Sequence, residues 1–162
     1  MTARVLEPPY AIVDATDPPR LDDVRRLFRD YADWIGVDLG FQDFEQELAT
    51  LPGKYAPPQG RLLLLVRAEQ AVGCIALRRF DAHSGEVKRL YVRPAERGRG
   101  LGKALAGAIV EAAREIGYRR LMLDTLEPMV EARELYRSFG FTEVPAYYAN
   151  PLPGAIYMEL RL

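Results

Sequence analysis

The chain has 162 residues, 49% hydrophobic and 28% charged, with a net charge of −1, the length and balance of a globular domain able to bury a sizeable core. Its cations are 19 Arg and 3 Lys scattered along the sequence. No block of like charge offers a tail or stripe to nucleic acid, and no run approaches the ~20 apolar residues of a membrane span.

Cys74 is the only cysteine, so an intramolecular disulfide is impossible. Met1 to Pro9 lacks the cationic start and apolar run of a leader. A single domain over residues 1–162, soluble and cytoplasmic, is therefore expected.

Tyr10 to Ala15 reads as a first strand, and Asp17-Pro18-Pro19 as a helix start, where proline is tolerated. Leu21, Val24, Leu27, Phe28, Tyr31, Trp34 and Ile35 recur at three-to-four spacing, the pattern of an amphipathic helix ending near Gly36. A short helix is predicted over Asp43 to Leu51, followed by a rigid loop between Leu51-Pro52-Gly53 and Ala56-Pro57-Pro58-Gln59-Gly60. Strands over Arg61 to Ala68 and Ala71 to Phe80 are joined by a tight turn near Glu69-Gln70. The apolar run Leu62 to Val66 fits a strand buried on both faces.

After a turn at His83-Ser84-Gly85 come a strand over Glu86 to Val92, a glycine-rich turn, and a helix to about Ile116 with Gly117 as its stop. Arg119 to Leu126 is a strand, and Met129 to Phe139 a helix stopped by Gly140. Phe141 to Val144 and Ala155 to Leu160 are the closing strands, the last with Ile156, Met158 and Leu160 on one face. The order is that of a mixed-sheet α/β domain.

The glycine turn carries the chemistry. Glycine permits backbone angles that side chains forbid, so the amides of Arg97-Gly98-Arg99-Gly100-Leu101-Gly102-Lys103 can converge on one point. The helix that follows contributes unpartnered N–H groups and its positive dipole end, which together make an anion site suited to phosphate. It is not a P-loop: Ala104 follows Gly102-Lys103 where Ser or Thr is needed, and Arg97 stands in place of the first glycine. Nor is it a dinucleotide fingerprint, because the third glycine is Lys103 counted from Gly98 and Leu105 counted from Gly100.

The pattern R-x-x-G-x-G at Arg97, Gly100 and Gly102, after a strand ending Tyr91-Val92-Arg93-Pro94, resembles the acyl-CoA-binding motif of the GCN5-related N-acetyltransferase (GNAT) superfamily. Leu135-Tyr136-Arg137-Ser138-Phe139-Gly140-Phe141 resembles that family's second hallmark, a helix followed by Gly-Phe. The likeness covers roughly Arg61 to Leu160. It implies an α/β (α+β) fold with a mixed, mostly antiparallel sheet splayed between its fourth and fifth strands and flanked by about four helices.

The resemblance implies that the amides of Arg97, Gly98, Arg99, Gly100, Leu101, Gly102 and Lys103 hold the pyrophosphate of acetyl-CoA. Leu90, Tyr91 and Val92 on the splayed strand would meet the pantetheine arm, with Leu90 and Val92 pairing it as a further strand. Tyr136 matches the tyrosine that donates a proton or hydrogen bond to the departing sulfur; helical spacing alone would equally allow a core aromatic. Glu86, six residues before Val92, stands where some members carry a catalytic glutamate, on a strand face expected to hold Lys88, Leu90 and Val92. Its alternative is an exposed carboxylate paired with Lys88 or Arg78. Met129 occupies the position where many relatives place a cofactor-contacting Asn. Asp124 and Thr125 could line the cleft, Thr125 alternatively capping the next helix.

On the acceptor side, Arg89 and Arg78 could meet a carboxylate or sit in ordinary salt bridges. Tyr147, Tyr148 and Asn150 lie in the loop between the last two strands, a usual place for acceptor contacts in the family. Trp34, with Phe41-Gln42, lies where members place a variable lid, or else packs in the core. One His and one Cys cannot supply a metal site; His83 reads as solvated and Cys74 as packing. The expectation is an acetyl-CoA-dependent N-acetyltransferase acting on the primary amine of a small molecule such as an amino-acid-like compound, by direct attack in a ternary complex, without metal, nucleic acid or membrane. A CoA-binding regulatory module, a protein N-acetyltransferase and a homodimer remain open alternatives.

Overall fold

The run Leu62 to Leu65 lies at the middle of the molecule. In the computed structural model, which describes the backbone of Arg4–Val5 and residues 9–162, all four of these leucines are buried. Leu63 and Leu65 join one apolar cluster and Leu62 and Leu64 another, as expected of a strand with helices on both faces. The reading of residues 1–9 as leader-free falls mostly outside the described residues.

The elements run β1 (Arg4–Val5), β2 (Tyr10–Asp14), α1 (Pro18–Ile35), α2 (Phe44–Thr50), β3 (Arg61–Arg67), β4 (Gln70–Arg79), β5 (Ser84–Val92), α3 (Leu101–Ile116), β6 (Arg120–Leu126), α4 (Val130–Ser138), β7 (Thr142–Val144) and β8 (Ala155–Arg161). The strands form one sheet in the order β1-β2-β3-β4-β5-β6-β8-β7. Only β5 and β6 pair in parallel; the other described pairs are antiparallel. Helices α3 and α4 cover one face, meeting Leu63, Leu65, Ile75 and Leu77, whereas α1 and α2 cover the other, over Leu62, Leu64, Cys74 and Ala76. No helix among the described residues is long and apolar enough to cross a membrane.

Sequence signals set the helix ends. Prolines open α1, and Gly36 closes it at φ 67° with its N–H on the Ala32 carbonyl. Gly117 does the same for α3. One glycine was misread: Gly85 was expected in a turn but lies inside β5. A Cβ there would come within 2.8 Å of Leu77 and 2.9 Å of Tyr118, so this glycine admits close packing instead of bending the chain.

Two features of β5 open the cleft. The parallel pairing with β6 covers only Ser84, Gly85 and Glu86, opposite Arg120, Leu121 and Met122. Beyond Glu86 the strands part. On the β4 side, the register shifts between Cys74 and Ala76, which pair with Tyr91 and Lys88, so Arg89 and Leu90 together face Ile75. Arg89 takes φ 64° at this bulge.

One extra residue reverses the two-residue alternation of a strand. Val87, Leu90 and Val92 therefore belong to the α3 face, while Tyr91 packs on the α1 face with Cys74. The expected shared face of Glu86, Lys88, Leu90 and Val92 is overturned by this bulge.

Candidate active site

The parted strands leave a cleft of about 600 Å³, bordered by β5, the glycine turn, the ends of β6 and α4, and α1. At one end is the glycine turn. Gly98 and Gly100 have φ of 82° and 73°, and a Cβ on either would meet no atom within 4 Å, so the approach to their amides is open. The first N–H of α3 with a backbone acceptor is that of Ala104, on Gly100. Those from Gly98 to Lys103 have none among the described residues, and they sit at the positive end of a 16-residue helix.

The two arginines of the turn differ in role. Arg97 Nε donates to the Val92 carbonyl at 2.8 Å, and its guanidinium lies 4.6 Å above the Trp34 ring and 5.5 Å above Tyr91. Trp34 is 44% exposed; it forms part of the cleft wall, not of the core. The Arg99 side chain points away from the cleft and donates to the Tyr10 hydroxyl at 3.0 Å. That hydroxyl in turn donates to Glu96. The Arg99 side chain is thus a strut between the turn and β2. Leu101 buries its side chain at 6% exposure and offers only its amide, whereas Lys103 is exposed at the rim.

Leu90, Tyr91 and Val92 border the cleft along the edge of β5 that β6 has left. Opposite them, α4 brings in Tyr136, 7% exposed, with its ring edge-on to Phe141 at 5.5 Å. Its hydroxyl has no hydrogen-bond partner among the described residues and borders the cleft. Burial, then the nearby Tyr31 and Asp124, push its pKa well above the usual tyrosine value. Met129 also lines the cleft, and Thr125 donates to its sulfur at 3.6 Å instead of capping α4.

At the far end lie Tyr31, Gln42, Lys88, Arg89 and Asp124. Several expectations change here. Glu86 does not border the cleft. It is 1% exposed, with Oε1 taking the Arg78 Nε–H at 2.8 Å and Oε2 the Tyr147 hydroxyl at 2.7 Å. Burial pushes its carboxyl up, but Lys88, Arg78 and Tyr147 outweigh burial and hold it below the usual range. Of the alternative foreseen for this position the pairing with Arg78 holds and commits that arginine, but the carboxylate is buried and not exposed.

Arg89 is also committed. It is 3% exposed, forked onto both oxygens of Glu47 at 3.0 and 3.1 Å, and bonded to Gln42 at 2.8 Å. The rings of Phe44 and Tyr31 lie 5.2 and 5.7 Å from its guanidinium. It anchors α2 to the sheet and leaves its fork no face for an acceptor carboxylate.

The tyrosine loop likewise turns inward. Tyr147 and Tyr148 are half-buried against each other, Phe80 and Tyr157. Tyr148 donates to Asp124 Oδ2 at 2.6 Å, and Asn150 to the same oxygen at 3.1 Å. None of the three borders the cleft; they hold the carboxylates that do, or that lie beneath it.

Lys88 was the residue that sequence reasoning passed over. It is 6% exposed, borders the cleft and lies 3.6 Å from Asp124 Oδ1. Burial pulls its pKa down, against the attraction of Glu86 and Asp124. The available signal was a lysine two residues after Glu86 on the strand that leads into the glycine turn. Cys74 is buried, with Sγ 3.3 Å from the Arg89 carbonyl, and His83 is exposed. Among the described residues no group of three or more His, Cys, Asp or Glu is placed to hold a metal.

Comparison with known proteins gives this cleft a context. Residues 21–141 match the model of the Acetyltransferase (GNAT) family. The chain is 42% identical to an uncharacterized N-acetyltransferase of Schizosaccharomyces pombe over 148 residues, 90% of each chain. Its fold is that of an acetyltransferase from Streptococcus agalactiae, with a TM-score of 0.76 at 22% identity over 94% of this chain and 98% of that one. It also resembles a GNAT family acetyltransferase from Elizabethkingia anophelis solved with acetyl-CoA bound, with a TM-score of 0.59 at 21% identity over 75% and 82%. A parted parallel pair of strands, a glycine turn opening a helix and a matching family model over most of the length agree, and the chain belongs to the GNAT acetyltransferase family.

Proposed function

We propose that the protein, working as a single domain, transfers the acetyl group of acetyl-CoA to the primary amine of a small molecule by direct attack within a ternary complex. The observation that carries this reading is the pairing of an open amide cradle at one end of the cleft with an unengaged tyrosine hydroxyl inside it. The amides from Gly98 to Lys103 hold the pyrophosphate, and the free edge of Leu90 to Val92 accepts the pantetheine arm as a strand. These residues fit coenzyme A because the cradle is backbone-lined and faces the helix dipole.

The amine nitrogen attacks the thioester carbonyl, the carbon–sulfur bond breaks, and the amine's proton passes to Asp124, the carboxylate at the acceptor end of the cleft. Tyr136 donates its hydroxyl to the departing sulfur. An ordinary thiol ionises near ~8.5, far below this tyrosine, so Tyr136 stabilises the thiolate as a hydrogen-bond donor and remains protonated. Rate then comes from holding the two reactants in register and from fixed donors. A non-catalytic CoA module has no use for a bare hydroxyl in that position.

The test is release of free CoA from acetyl-CoA across a panel of small amines, with mass detection of the acetylated product. Acceptor-dependent release with matching product supports the reading; no release with any amine, alongside a CoA-induced rise in melting temperature, assigns a binding role instead.

A further inference from the structure

Among the described residues, the cations around the acceptor end are hydrogen-bonded with one exception. Arg89 has its fork on Glu47 and Gln42, Arg78 is on Glu86, and Arg97 is on the Val92 carbonyl and Trp34. Lys88 is different. Its side chain is 5% exposed, yet its nearest acidic oxygen, Asp124 Oδ1, is 3.6 Å away, outside hydrogen-bond length. Among the described residues the ammonium makes no hydrogen bond at all. An ammonium carries three donors, and here they face the cleft, free to meet a ligand's oxygens.

Asp124 is held in this position by Tyr148 and Asn150, which both donate to Oδ2. Among the described residues Oδ1 is left without a donor within hydrogen-bond length. The cleft floor therefore presents a cation and an anion side by side, each with unused bonding capacity, and each bordering the same space. The neighbouring acids Glu86 and Glu47 are neutralised by Arg78 and Arg89, so neither repels an incoming carboxylate.

We propose that Lys88 and Asp124 are the acceptor's docking pair: the Lys88 ammonium binds a carboxylate of the acceptor, and Asp124 Oδ1 receives its amine. The acceptor is then an amino acid, or a compound with an amine and a carboxylate at the same short spacing. This rests on the acetyltransferase reading and deepens it by naming the substrate class. A plain amine would leave Lys88 unmet, and an amino-acid amide would meet it only with a neutral oxygen, which binds a cation less strongly than a carboxylate does.

The experiment compares free amino acids of several side-chain types with their primary carboxamides and decarboxylated amines, using wild type, Lys88→Met and Lys88→Arg. Wild type should favour the acid over its amide by about tenfold to a hundredfold in kcat/KM, the range of a hydrogen bond to a charged group. Lys88→Met should raise KM for the acid far more than for the amide and so erase the preference, and Lys88→Arg should restore part of it.

If wild type uses amides or plain amines as well as acids, the proposal fails, whatever the variants do. A Lys88→Met variant that loses kcat alike for all acceptors also overturns it and places Lys88 at the thioester. If no amine of any kind is acetylated, the acetyltransferase reading falls and takes this inference with it. A working enzyme without carboxylate preference removes the inference alone.

Discussion

Tyr147 donates its hydroxyl to Glu86 Oε2 at 2.7 Å while Arg78 holds Oε1 at 2.8 Å, so a loop residue and a strand residue close both oxygens of a carboxylate that is 1% exposed. The contact spans 61 positions of sequence. It turns a residue expected in the chemistry into a brace for the loop between β7 and β8.

The consequence for pH can be signed. Glu86 is held below the usual carboxylate range in the folded protein, so the unfolded chain binds its proton more readily. Its stabilisation is complete above the unfolded value of about 4.3 and fades as pH falls through the lower folded value. Glu86→Gln should cost about 1–3 kcal/mol at neutral pH, the penalty of a buried group left with mismatched partners. Melting temperatures from pH 7 down to pH 3 should show the two proteins converging in acid. A constant gap, or an altered acidic limb of kcat/KM in the variant, would return Glu86 to the reaction.

Tyr136→Phe removes only an oxygen that has no partner among the described residues. The fold should tolerate it, with melting temperature within a degree or two of wild type. In turnover, kcat should drop about tenfold to a hundredfold, as expected for a hydrogen bond to a charged leaving group. Affinity for CoA, read by thermal shift, should hold. Equal rates for variant and wild type would remove the hydroxyl from the mechanism.

Gly100 takes φ 73° at the start of α3. An alanine there meets no atom within 4 Å, so sterics with neighbours are not the obstacle; the left-handed backbone costs an L-residue roughly 1–2 kcal/mol. Gly100→Ala should therefore lower the melting temperature modestly. It should also shrink the stabilisation by CoA, since stabilisation by a ligand follows its affinity. An undiminished CoA shift would argue that the turn does not hold the pyrophosphate.

Arg89→Met tests anchoring against recognition. Removing the cation leaves Glu47, whose side chain is 13% exposed, without its counter-charge, and breaking such a pair costs about 3–5 kcal/mol. Adding Glu47→Gln should recover part of the loss, which a double-mutant cycle would measure. If Arg89→Met leaves stability intact but raises KM for acids alone, Arg89 reads the acceptor after all.

Much of this was legible in the residues. Gly36 and Gly117 mark where their helices stop, and Leu62 to Leu65 declare a strand covered on both sides. The turn from Arg97 to Lys103 and the helix ending in Gly140-Phe141 carry the family likeness that the family match then bore out. These are local matters: backbone freedom, side-chain period and helix-end chemistry act within a few residues and leave their mark there.

What the tertiary structure decided hangs on one inserted residue and on contacts between distant segments. The bulge at Arg89 and Leu90 reverses the faces of β5, and a period-two reading cannot register a residue that pairs with nothing. Which charges are met depends on Glu47 from α2, Arg78 from β4 and Tyr147 and Tyr148 from the last loop, all arriving by folding alone. Sequence by itself determined where the glycine turn lies and which helix it opens. Only the folded chain decided that Glu86, Arg89 and the tyrosines are already hydrogen-bonded while Lys88 meets Asp124 as an ion pair without a hydrogen bond, because satisfaction of a buried charge is a property of its neighbours in space.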